Sequence, residues 1–314
     1  MLRTRLFTIA AAVAAITAVA PASAAVVLDG NYIKVGINNQ GTLGSGGSTS
    51  PGLIHDPSGT ASFDPSTDYI TPGIPHEGYS INSTQSGFVE ADNTGASGFG
   101  TASPTILTGA DAMGFDNAAS WSGSNSFVDI TNSYFFNDGS ERIEVYTTLT
   151  ALSDLTNLAF ARSVDPDSGG FDSINQRGNS LFDVDDFIGS ASAANGRTLA
   201  LVNLNGDVLT HNTQINSSCC SNIDPYTVLL GSADNATGDF GLNIAWLIGD
   251  LGMGNSVTIH YAYAVGTKID VVGGPGGNPG AVPEPATWAM MLLGFGFVGG
   301  AMRRGRRQLK LAAA

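Results

Sequence analysis

Cations, cysteines and histidines are all scarce in this chain, and each shortage narrows its function. Of 314 residues only 13 are Lys or Arg, against 27 Asp or Glu. Phosphate backbones demand basic patches, so this balance argues against nucleic acid as a partner. Cysteine occurs twice, at the adjacent positions Cys219 and Cys220. Two neighbouring thiols cannot staple a scaffold, and with no further Cys a zinc site is disfavoured. His55, His76, His211 and His260 show neither H-x-H nor H-E-x-x-H spacing. There is no G-x-S-x-G elbow and no G-x-x-x-x-G-K-[ST] loop. No stretch between the termini sustains a helical repeat with caps, and no internal repeat recurs at a fixed period. A helix bundle, a solenoid and a propeller are therefore disfavoured, and no motif marks a catalytic centre.

What the chain has in quantity is glycine, 41 residues of it, with Ser, Thr, Asn and Asp between short apolar runs. That pattern predicts an all-β protein, an antiparallel β-sandwich or a paired or jelly-roll-like form of one. Residues 32–37 read as a first strand, followed by a Gly/Ser/Thr-rich loop over 38–50 and turn chemistry over 51–75. Ile143, Val145, Thr147 and Leu149 alternate with Glu144, Tyr146 and Thr148, the signature of a strand with one buried face. Asn137-Asp138-Gly139 before it predicts a tight hairpin turn with Gly139 at positive φ, where Gly139→Val would be strained. Residues 158–162, 198–204, 226–230, 240–247 and 256–263 read as further strands. In the last, Val257, Ile259, Tyr261 and Tyr263 share a face.

The termini have a different composition. In residues 1–24, Arg3 and Arg5 precede an apolar run over 6–20, then Pro21 and Ala22-Ser23-Ala24, a small-residue cleavage site. This is the layout of a secretory signal peptide. Residues 25–272 form the exported body and 273–281 a Gly/Pro linker. The body holds 6 of the 13 basic residues and 26 of the 27 acidic ones, a net charge of −20. Such a charge keeps a protein soluble by self-repulsion and is also compatible with divalent cation binding.

At the other end, Pro283-Glu284-Pro285 is followed by Trp288 and Ala289, then by an uncharged run over 286–302. Arg303, Arg304, Arg306 and Arg307 close it, before a short extension over 308–314. Seventeen residues at ~1.5 Å each make a helix of roughly 25 Å, a minimal transmembrane span. Four arginines at its end hold that end in the cytoplasm. The two prolines favour an extended, exposed segment ahead of the helix. In this order the elements resemble the PEP-CTERM sorting tail, and the spelling Pro283-Glu284-Pro285-x-x-Trp288-Ala289 resembles its PEPxxWA subclass. The resemblance covers 282–307 only. It implies export across the inner membrane of a Gram-negative bacterium and transient anchoring by the helix. It further implies recognition by an exosortase-type processing protease and delivery to the cell surface or extracellular matrix.

Three readings of the body stay open: a structural or binding protein, a carbohydrate-binding or carbohydrate-active sandwich that engages matrix polysaccharide, and a calcium-dependent adhesion module. Asp165, Asp167 and Asp172 fall in one turn-rich loop and are the candidate Ca²⁺ ligands. Asp183, Asp185 and Asp186 form a second acidic group, read as a solvated strand face. Cys219 and Cys220 can close a small strained ring, stay a free reactive pair, or link to another molecule. Trp121, in a Ser/Gly context, is the better candidate of the two for an exposed aromatic that stacks on sugar, whereas Trp246 is expected in the core. The export reading has a direct check: intact mass of the secreted protein should start at Ala25, and a mature chain that still carries Arg3 would refute it.

Overall fold

The computed structural model describes residues 25–167, 173–179, 181–231 and 235–268. The signal segment, the linker and the sorting tail lie outside these residues. Seventeen strands run through the described chain: β1 (Val26–Asp29), β2 (Ile33–Ile37), β3 (Leu53–His55), β4 (Glu77–Asn82), β5 (Val89–Asp92), β6 (Thr105–Ile106), β7 (Asn117–Ser124), β8 (Val128–Phe136), β9 (Arg142–Ala151), β10 (Leu155–Val164), β11 (Ser173–Arg177), β12 (Phe187–Ser192), β13 (Thr198–Asn203), β14 (Thr210–Asn216), β15 (Ala236–Gly238), β16 (Gly241–Leu251) and β17 (Ser256–Gly266). They pair into a nine-stranded sheet, β15-β11-β12-β13-β17-β9-β8-β7-β6, a five-stranded sheet, β14-β16-β10-β4-β5, and a three-stranded sheet, β1-β2-β3. All these strand pairings are antiparallel. Among the described residues no helix is long and apolar enough to cross a membrane.

One core lies between the sheets. It joins Ile33 and Val35 of the small sheet, Ile81, Phe160 and Trp246 of the middle one, and Val145 and Tyr261 of the large one. Strand β9 shows the reason: its residues alternate between half-buried and buried along its whole length, so one row of side chains enters the core. The strand β10 is buried on both faces over most of its length. Its second face is covered by the short helix α1 (Pro225–Leu229), whose Val228 packs with Ala161 and Ala245.

At the centre of this core is an ion pair. Arg162 on β10 and Glu77 on β4 are both fully buried, with Nε 2.6 Å from Oε1. Tyr134 receives a hydrogen bond from Arg162 Nη2 at 3.1 Å, and Tyr263 donates its hydroxyl to Glu77. The guanidinium centre lies 5.3 Å from the Tyr79 ring and 5.7 Å from the Tyr263 ring. Burial pushes the Glu77 carboxyl up, and the guanidinium opposes that push. The other Glu77 oxygen accepts the Leu43 amide at 2.5 Å. That amide belongs to a loop that enters the core, where Tyr79 donates to Gln40 O at 2.8 Å and Tyr134 to Gly41 O at 2.8 Å. Gly41 is required there, because its φ is +69° and a Cβ would lie 2.1 Å from the Trp121 ring.

The structure corrects three expectations. Residues 226–230 are not a strand. Asp224 accepts the Tyr226 amide at 2.9 Å and Pro225 sits in the first turn, which starts helix α1. The link between β8 and β9 spans residues 137–141, and Gly139 lies outside the positive-φ region with open space around it. The turn is closed by the Ser140 amide on Asn137 O at 2.9 Å. It is tied sideways by Asn117 Nδ2 on Asp138 Oδ1 at 2.8 Å and the Asp138 amide on Asp116 at 3.1 Å. The strain expected at Gly139→Val is therefore absent. Finally, Trp121 is 1% exposed, and its Nε1 donates to Asn39 O and Ala102 O. Trp246 is in the core as expected, at 0%.

Removing one member of a buried ion pair strands the other. Glu77→Leu should destabilise the body by about 3–5 kcal/mol in urea titration, and adding Arg162→Met should recover most of that loss. A single-variant loss below about 1 kcal/mol would show that the pair does not organise the core.

Candidate functional site

Where β10 ends, the charge is no longer balanced. The chain runs on as extended backbone, with the Asp165 amide donating to His76 O at 3.0 Å and the Asp167 amide to Tyr69 O at 2.9 Å. These bonds pull both residues into the protein, to 3% and 6% exposure. Asp239, exposed in the link from β15 to β16, arrives from the other side. One carboxylate oxygen from each of the three lies within 4.8 Å of the others. Asp172, the third residue of the expected Ca²⁺ set, lies outside the described residues. Asp239 was not legible as a partner, since 72 to 74 residues separate it from the other two and no spacing rule connects them.

Burial pushes the Asp165 carboxyl up to about 7, and the neighbouring Asp167 and Asp239 add to the shift. Asp167 is pushed up to about 7 by burial and then by Asp239. Both shifts are in the direction of burial and like-charge crowding. Such a cluster satisfies itself by holding protons or by holding a cation.

Cys219 and Cys220 are joined as a disulfide, as the ring reading expected, with Cα atoms 3.8 Å apart. They lie in the irregular chain between β14 and α1 and line a surface depression of about 280 Å³ with Ile74, Ser217, Ser218, Ser221 and Asp239. Cys220 Sγ is 3.2 Å from Asp165 Oδ2. A disulfide sulfur has no proton to donate, so this is a sulfur–oxygen contact unless the carboxyl itself carries the proton.

The second acidic group differs from its expected form. Asp183, Asp185 and Asp186 lie in a turn before β12, not on a strand face. Asp186 Oδ1 is 2.8 Å from His211 Nε2 and accepts Asn203 Nδ2 at 2.7 Å. His211 Nδ1 is 2.8 Å from Leu209 O, so this pair fastens the turn to β14. Asp185, Asp186 and His211 also bring ligand atoms within 4.8 Å of one another. His55 and His260 are likewise held by carboxylates, Glu141 and Glu144. No nucleophile–histidine pair is among these contacts. Pro283, Glu284, Pro285, Trp288, Ala289 and the four tail arginines lie outside the described residues.

The fold and these contacts define an acidic antiparallel β-sandwich protein. Residues 281–307 match the PEP-CTERM protein-sorting motif, so the chain carries a signal for export and membrane-anchored sorting by an exosortase-type enzyme. The family of the body is not assigned by this match. No curated protein matches the chain. Among solved structures it is similar to the heparan sulfate lyase HepC from Pedobacter heparinus, with 10% identity and a TM-score of 0.37 over 79% of this chain and 37% of that one. It is also similar to a bacterial glucoamylase complexed with acarbose, with 9% identity and a TM-score of 0.45 over 80% and 33%. A GalM/aldose epimerase homologue from C. elegans gives 11% identity and a TM-score of 0.41 over 78% and 100%. The chain thus spans less than two fifths of the lyase and the glucoamylase, and these likenesses carry no information on activity.

The raised carboxyls give a pH signature. Between about pH 4 and 7 the folded state holds protons on Asp165 and Asp167 that the unfolded chain has released, so their contribution to stability falls as pH rises. His76, pushed down to about 4 by burial, acts in the opposite direction over part of this range. The variant carrying Asp165→Asn and Asp167→Asn keeps the His76 effect. In chelator-treated buffer, its stability relative to wild type should therefore rise from pH 5 to 8. A difference that stays flat across that window would contradict the crowding.

Proposed function

We propose that this chain is exported with residues 1–24 removed, held for a time in the inner membrane by the helix of its tail, and released by an exosortase-type protease. Its body then acts at the cell surface or in the extracellular matrix as a rigid, non-catalytic β-sandwich module. The observation that carries this reading is the PEP-CTERM motif over 281–307. The Gly/Pro composition of residues 273–281 and the absence of catalytic spacing in the sequence support it. Glu284→Ala should leave uncleaved precursor in the inner-membrane fraction. Normal surface arrival of that variant would point to another route.

A second reading is favoured by the meeting of Asp165, Asp167 and Asp239: the body binds Ca²⁺ there, and the ion stiffens it as an adhesion or matrix module. Oxygen-rich, irregular loops suit Ca²⁺, while Mg²⁺ demands octahedral geometry and gives up water reluctantly. A ligand that binds only the folded state stabilises it by about 2.7 kcal/mol at a hundred times Kd. Millimolar Ca²⁺ should raise the melting temperature more than Mg²⁺ does, and Asp165→Asn with Asp167→Asn should abolish most of the gain. Equal shifts with both cations, reproduced by NaCl and retained in the double variant, would mean general screening of a −20 body.

A further inference from the structure

The surface-module reading leaves the Cys219–Cys220 disulfide without a task. A bond between adjacent residues closes no length of chain, so it gives the fold almost no loop-closure stability. It also does not sit in the core. It lines the open depression with Ser217, Ser218, Ser221, Ile74 and Asp239, in chain without regular structure. Its breakage would therefore leave all three sheets intact. A structural disulfide has the opposite properties: it spans chain, and the fold depends on it.

The immediate surroundings of the bond suit its reduced form. Asp165 is 3% exposed and presents Oδ2 to Cys220 Sγ at 3.2 Å. Against a disulfide sulfur, an ionised carboxylate has no donor to accept from. Against a thiol it has one, because reduction places an S–H at that sulfur. Buried acceptors are normally satisfied, and here the missing donor appears when the disulfide opens. A group that favours the reduced form makes a disulfide a better oxidant.

We propose that Cys219–Cys220 is a redox-active pair that takes two electrons from an external dithiol, with Asp165 accepting the hydrogen bond of the Cys220 thiol. The external thiolate attacks Cys219 Sγ, because Cys220 Sγ is in contact with the buried Asp165 side chain. The Cys219–Cys220 bond breaks as the mixed disulfide forms. Cys220 leaves with the electron pair and takes a proton from solvent. The second thiol of the reductant then attacks its own sulfur in the mixed disulfide and releases Cys219, which is also protonated. The reductant ends as a cyclic or paired disulfide, and the protein gains two thiols.

The test uses the mature exported protein with dithiothreitol as the dithiol, in chelator-treated buffer so that cation binding at Asp165 does not enter. Thiols are counted by the mass added on alkylation, and folding is followed by near-ultraviolet circular dichroism in the same samples. The expected result is two alkyl groups per chain at an unchanged native spectrum. Reduction that appears only as the protein unfolds would overturn the proposal. Asp165→Leu removes the acceptor and should require roughly fivefold more dithiothreitol at the midpoint, whereas Asp165→Asn retains a carbonyl acceptor and should stay near wild type. Identical midpoints for folded wild type and folded Asp165→Leu would refute the role of Asp165. Should Asp165→Leu fail to fold, the variant with Cys219→Ser and Cys220→Ser replaces it: a melting temperature close to wild type is expected, and a loss of folding would show that the bond is structural.

Discussion

The Glu77–Arg162 pair is the constraint on which the arrangement of the sheets depends. Two charges taken out of water are tolerable only when each is paired and its remaining polar atoms are engaged. Here most of them are engaged from several directions, with Arg162 Nη1 left without a hydrogen-bond partner. Arg162 sits on β10, Glu77 on β4, Tyr134 on β8 and Tyr263 on β17, so the hydrogen bonds cross from the five-stranded sheet to the nine-stranded one. Apolar packing alone would let the two sheets slide by a residue pair at modest loss. A polar network with directional bonds fixes one register, because any other would part the charges of the five-stranded sheet from the Tyr134 and Tyr263 hydroxyls of the nine-stranded one.

The same network explains why a loop can lie inside the protein. A buried irregular segment carries backbone groups that no ladder satisfies. Between Asn38 and Leu43 those groups are taken up by core side chains: Gln40 O by Tyr79, Gly41 O by Tyr134 and Asn132, and the Leu43 amide by Glu77. Trp121 then closes over Gly41 and uses its indole nitrogen on Asn39 O and Ala102 O. The aromatic in a Ser/Gly context, which looks available for stacking on sugar, is thus committed to holding this loop.

What was legible in the sequence follows from range. The alternation of Ile143, Val145, Thr147 and Leu149 reads out directly, because strand faces repeat every two residues. The helix at Pro225 was marked by Asp224-Pro225, but its apolar content resembles a strand, and the cap was the better guide. Asp138-Gly139 marked the turn between β8 and β9 correctly but not its backbone, since Gly139 is outside the positive-φ region and the turn is tied to Asp116 and Asn117. The arginine at 162 lies in an apolar run and gives no hint that its partner is 85 residues earlier. Asp165 and Asp167 were visible as a pair, but their burial, Asp239 and the approach of Cys220 are products of tertiary structure alone.

Arg162 and Asp165 lie three residues apart on one stretch of chain, yet their environments are opposite. At 162 the fold brings the matching charge and several hydroxyls. At 165 it brings two more carboxylates and a disulfide sulfur, and pushes the carboxyl to about 7. A fold that neutralises one buried charge so thoroughly does not leave the next ones crowded for want of basic residues alone, since a polar side chain at 165 or 167 would relieve the crowding at once. The crowding is sustained where the β10 strand meets an open depression, the location at which a proton, a cation or a sulfur can exchange with solvent. The tail gives the protein its address through a short, specific motif. The chemistry proposed for the body rests on this strand end, in groups that only the folded chain brings together.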